Sequence, residues 1–253
     1  MNSLSVGSIV FALVFGGALL GMQLGRTLPT EHLAPDAKDV IRVSMAMIAT
    51  LAALVLGLLT ASASSALDDK ETELKGMAGQ VILLDRAMDN YGPETAEART
   101  LLKQMVITRI NQIWPEESGS TVAPEAIRHG LGVEAVQQKL LALSPKNDAQ
   151  RWLQSAALKA TRNIATARWS VLEEIGSSIQ WPFLVVVVFW LIIIFVSFGI
   201  FAPHNSSVTV ALFVAALSVA GAIYMILAMD QPYSGLVKLS SAPLRIALSE
   251  LGR

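Results

Sequence analysis

Three blocks of this chain carry no Asp, Glu, Lys or Arg: residues 1–25, 43–67 and 175–229. A helix rises 1.5 Å per residue, so roughly 20 mostly apolar residues cross the ~30 Å hydrocarbon layer of a bilayer. Each of the first two blocks suffices for one crossing. The third is long enough for two, with "FAPHNSS" (201–207) as the hairpin between them. The expected spans lie near 4–24, 40–64, 182–201 and 207–229. Charged residues make up 15% of the chain, against about 25% in a soluble domain, and the deficit is confined to these blocks. Residues 1–25 lack a basic leader and a small-x-small cleavage site, so they are expected to stay as a span and not to be a signal peptide.

An even number of spans puts both termini and the segment between spans 2 and 3 on one side. Lys and Arg near span ends set which side. The short 25–39 loop and its edge hold Arg26, Lys38 and Arg42, whereas the other side holds Lys70, Lys75, Lys159, Arg162, Arg168, Lys238 and Arg245. Both termini are therefore expected in the cytoplasm. The absence of cysteine rules out disulfides and thiolate metal sites. A net charge of −1 argues against nucleic acid as a partner.

The long polar segment reads as all helix. Leu67, Leu74, Met77, Val81, Leu84 and Met88 recur at steps of seven, then of three to four residues, the mark of an amphipathic helix. Gly92 and Pro93 supply a stop and a new start. A second helix runs to Trp114–Pro115, and helical pattern resumes over 133–143 and 147–175. No strand-like alternation of useful length occurs. The fold class expected is all-α: a four-span membrane protein with a cytosolic helical domain. Its parts are spans 1 and 2 over 1–65, the helical domain over 66–181, spans 3 and 4 over 182–229, and a docked tail over 230–253. No proline lies between Pro35 and Pro93, so span 2 either continues unbroken into the cytosol or breaks at "SASS" (62–65). Gly76 and Gly79 mark the place for any kink.

Four stretches, in order, are "LAALVLGLLTASASSALDD" (51–69), "LLDRAMDNYGPETAEAR" (83–99), "WPFLVVVVFWLIIIFVSFGIFAPHN" (181–205) and "LAMDQPYSGLVKLSSAPLRIAL" (227–248). Together they resemble a bacterial bestrophin-like family of unknown function, itself remotely related to bestrophin anion channels. The resemblance implies four spans, a cytosolic helical domain and a bacterial inner-membrane location, and it suggests a ring-forming anion channel. Span 2 has no aromatic residue at mid-membrane and no acidic calcium clasp is evident, so no individual bestrophin residue is carried over.

Two faces of span 2 stand out. Ala49, Ala53, Gly57 and Ala61 repeat every four residues, as Gly17, Gly21 and Gly25 do in span 1; such stripes of small residues let helices approach closely in lipid. The other face of span 2 runs Ser44, Ile48, Leu51, Val55, Leu58, Ser62. A path for inorganic ions can gate at an apolar constriction with hydroxyls at its mouths; equally, these aliphatic side chains suit lipid. The spans hold no acid or base at depth, which disfavours proton-coupled transport. His32, His129 and His204 fall in separate loops, and no catalytic motif or cofactor signature is present, so no enzyme activity, metal or cofactor is expected.

Asp230 ends span 4 where the helix dipole is already negative, and Arg245 begins a short tail helix where a cation is unfavourable. A tail folded back would give each a partner, Asp230 with Arg245 or Lys238; the rival role for Asp230 is a ring of acids at a pore mouth. Two functions remain open on these grounds: a homo-oligomeric passive ion channel lined by span 2, or a non-conducting scaffold or sensor whose helical domain binds a cytosolic protein.

Overall fold

The computed structural model describes residues 3–27, 35–115, 132–173, 181–203, 205–230 and 237–252. All its elements are helical: α1 (Ser3–Thr27), α2 (Pro35–Tyr91), a 3₁₀ turn (Pro93–Thr95), α3 (Ala96–Ile113), α4 (Val133–Leu141), α5 (Asp148–Glu173), α6 (Trp181–Phe201), α7 (Ser206–Met229) and α8 (Ala242–Glu250). No strand occurs among the described residues. Four helices, α1, α2, α6 and α7, are long and apolar enough to cross a membrane, and they contain the four expected spans. The chain is an all-α, four-span membrane protein. The three histidines lie outside the described residues.

Residues 62–65 are helical, so α2 runs unbroken for 57 residues, about 85 Å of rise. Serine costs a helix only a few tenths of a kcal/mol relative to its neighbours. That is too little to break a helix whose flanks are both buried, at Leu59 and Ala63 on one side and at Leu74 and Ala78 on the other.

Contacts divide the chain into two compact units, Met1–Leu67 with Ser177–Val237, and Asp68–Gly176 with Lys238–Arg253. In the first, α1 packs against both α6 and α7. Val6, Val10, Val14 and Ala18 form its buried stripe, facing Leu184, Val187, Leu191, Ile194 and Phe195 of α6 and Ala216, Ala220 and Ile223 of α7. The rings of Phe11 and Phe15 meet Phe213 edge-on at 5.3 and 5.4 Å. Glycine decides how closely α1 and α6 cross. A Cβ on Gly21 would overlap the Val196 carbonyl, one on Gly25 would stand 2.5 Å from the Ile200 carbonyl, and one on Gly199 would overlap the Ala18 carbonyl. Backbone thus touches backbone, which only missing side chains permit. Asn205 caps α7, its side-chain oxygen accepting from the Val208 N–H at 2.9 Å.

The second unit begins with an antiparallel pair, the outer part of α2 and α3. Gly92 turns the chain at φ 130°, a conformation open to glycine. The Thr95 hydroxyl reaches the Met88 and Gly92 carbonyls at 2.6 and 2.8 Å and ties the turn to the end of α2. Leu74, Ala78, Val81, Leu84 and Met88 of α2, Leu102, Val106 and Ile110 of α3, Val133, Val136 and Leu140 of α4, and Ala157, Ala160 and Ile164 of α5 share one core. Gln154 closes the α4–α5 corner, donating to the Leu140 and Leu143 carbonyls at 2.7 and 3.1 Å. Leu244, Ala247 and Leu251 of the tail complete this core, with α8 laid on α3.

Candidate functional site

Within its own unit, α2 touches the other spans through a narrow strip. Ala52, Leu59 and Ala63 are buried; Met45, Ile48, Ala49, Val55 and Leu56 pack partly against the same core. Only 11% of the most apolar stretch of α2 is buried, against between 28% and 39% for the other three spans. The rest of its circumference is open.

The stripe Ser44, Ile48, Leu51, Val55, Leu58, Ser62 straddles the edge of that strip. Ile48 and Val55 lean on the core of their own chain. Ser44, Leu51, Leu58 and Ser62 are exposed, Leu51 by 50% and Leu58 by 66%. Met47 and Leu54, 66% and 71% exposed, continue the open part at heptad spacing with Leu51 and Leu58. The sequence reading missed these two. Periodicity alone cannot say where a stripe meets its own core, and the intrachain strip shifts the open face by about one residue.

The Ser44 hydroxyl donates to the Val40 carbonyl at 2.9 Å, and Thr50 and Thr60 bond back to Ala46 and Leu56 in the same way. Their protons are held by the helix, which leaves oxygen lone pairs outward. Ala53, Gly57 and Ala61 face outward in the single chain, while Ala49 is half-buried. A Cβ on Gly57 would meet nothing within 4 Å. The close approach that glycine permits is therefore used within the chain at Gly17, Gly21 and Gly25 but not at Gly57.

Of the three tail residues, Asp230 is half-buried and caps α7 with helical angles, φ −73° and ψ −15°, in the first unit. Lys238 and Arg245 belong to the second and are exposed; Arg245 Nε donates to Ser241 Oγ at 2.9 Å.

The "DRAMDNYGPE" stretch (85–94) provides the acid of a buried ion pair. Asp85 is 3% exposed. Arg99 grips it with two bonds, Nε to Oδ1 at 2.8 Å and Nη2 to Oδ2 at 3.1 Å, and reaches Asp89 at 2.6 Å. Hydrogen bonding to Asp85 pushes the Arg99 guanidinium further up from its ordinary value, with burial opposing. Asp85 also accepts the Gly252 N–H of the tail at 3.2 Å. One signal was present: Asp85 falls four residues after Val81, on the apolar stripe itself. At the 3₁₀ turn, in an exposed pair, Lys146 bonds Glu94 at 2.8 Å and holds its carboxyl below the usual range. Among the described residues no three His, Asp or Glu side chains gather as a metal site.

No curated protein and no solved structure matches the chain. The family model of the Bestrophin-like domain matches residues 12–244, nearly the whole sequence. By that match, and with four apolar helices to place it in a membrane, the chain belongs to the bestrophin-like family.

Proposed function

We propose that the chain is a non-enzymatic, passive ion channel, assembled as a homo-oligomer in the bacterial inner membrane with both termini in the cytoplasm. The observation that carries this reading is the open face of α2. A helix that shows its own chain so little of its apolar surface has room for both lipid and neighbouring copies of itself. Leu51 and Leu58, flanked by Met47 and Leu54, form the apolar constriction, with Ile48 and Val55 backing it and Ser44 and Ser62 at the mouths. The outward stripe Ala53, Gly57 and Ala61 provides the seam for an adjacent subunit. Inorganic ions are the cargo, and the family relation favours anions. The absence of charge at membrane depth supports passive flow over coupled pumping.

Flux from liposomes holding the full-length protein tests the reading. Leu58→Ser wets an apolar neck and should raise ion leak by about tenfold or more, on the scale of one apolar side chain's burial. Equal leak in both proteins, or none in either, rejects an α2-lined path. Class averages of the detergent-purified protein should show a ring with a central axis.

A second reading, a scaffold or sensor that binds a cytosolic protein, is favoured by Trp152, Leu141 and Leu83, which the helical unit leaves 70%, 62% and 59% exposed. It predicts a partner lost in Trp152→Ala and no flux.

A further inference from the structure

We propose that residues 238–252 are a releasable strap laid on the helical unit, and that Asp85 is its keeper. Two hydrogen bonds fix the strap at its ends. Trp114, the residue that closes α3, donates from Nε1 to the Leu239 carbonyl at 2.8 Å. At the other end the Gly252 N–H donates to Asp85 Oδ2 at 3.2 Å. Leu239 thus lies by the C-cap of α3, and Gly252 shares Asp85 with Arg99 of its first turn, so the strap runs antiparallel to α3. Between the two points Leu244, Ala247 and Leu251 are 1%, 0% and 7% exposed. Glu250 adds an ion pair with Arg86 at 3.6 Å.

The chemistry of Asp85 explains why a carboxylate sits in an apolar core. Burying a charge costs several kcal/mol, and a packed apolar side chain would serve core stability as well or better. Arg99 neutralises that charge, and its two bonds orient the carboxylate. What a leucine could not do is hold a main-chain N–H. The Leu251 N–H still reaches the Ala247 carbonyl at 3.2 Å, so the Gly252 amide is the first beyond the α8 ladder. Gly252 stands at φ 89°, the left-handed turn that ends a helix and favours glycine. Asp85 takes up the amide left over there.

The strap has two states by construction. Helices shorter than about 12 residues are marginal alone in water, and α8 has nine. It is a helix when docked and loose chain when not.

The chain contains no cysteine, so single thiols report on the full-length protein. Ala247→Cys should label slowly, and adding Asp85→Asn should speed labelling by about tenfold or more, the loss of a charge-assisted bond. Ala157→Cys, equally buried but on α5, should stay slow with Asp85→Asn. The strap is overturned if Asp85→Asn leaves Ala247→Cys slow, if it exposes Ala157→Cys as well, or if Ala247→Cys labels as fast as Ser240→Cys in the otherwise unchanged chain.

Discussion

Gly16 and Gly21 stand five residues apart on α1 and should answer substitution in opposite ways. A Cβ at Gly16 meets nothing within 4 Å, whereas one at Gly21 runs into the backbone of α6. Gly16→Ala should leave the melting temperature level or slightly higher, since alanine is worth up to ~1 kcal/mol over glycine in a helix. Gly21→Ala should lower it, with a cost of about 1–3 kcal/mol for overpacking. Thermal unfolding in detergent checks both. The sequence showed a glycine stripe on α1 but not its partner, because Gly199 is a lone glycine in α6 and carries no period. Asp85 was hidden for a related reason. A single acid on an apolar stripe looks like a surface residue until its cation is known, and Arg99 lies beyond a turn.

At the scale of the element, α2 is where local signals were most legible. Its end before Gly92 and its buried face over 74–88 follow from the glycine–proline stop and the apolar period. Continuity through "SASS" did not, because weak helix formers and weak breakers look alike over four residues, and packing on either side decided it. Gly76 and Gly79 lie inside this helix with open space around them. Each should gain about 0.5–1 kcal/mol on replacement by alanine in the isolated chain. Chemical denaturation of the double variant measures the gain. A loss instead would mean that another helix comes close to those two positions in the assembly, as the seam at Gly57 is proposed to allow. The face of α2 toward its own chain was the part periodicity could not phase. Every side of a membrane helix is apolar, so hydrophobicity no longer separates inside from outside.

For the whole molecule, the charge asymmetry of the loops is the basis of the proposed orientation. If both termini are cytoplasmic, as proposed, a single cysteine at Lys75 should react with a membrane-impermeant thiol reagent only after cells are opened. One at Ser206, at the start of α7, should react from outside. The reverse pattern would overturn the orientation read from Lys and Arg. The number and order of spans could be read directly because an uncharged run of that length has few alternatives in water or in lipid. How copies associate could not be read, since a lipid-facing leucine and a pore-facing leucine obey the same rules of composition.

An unbroken helix keeps its phase. One residue gained or lost between Leu59 and Leu74 would turn everything downstream by about 100° against everything upstream. Either Ala63 and Leu59 or Leu74 and Val81, buried in different cores, would then point the wrong way. Seven residues, two turns, bring the faces back to within ~20°. The length of this stretch is therefore counted in turns and not in residues. It works as a key: the residue count, and not any one side chain, decides which face of α2 each stretch presents.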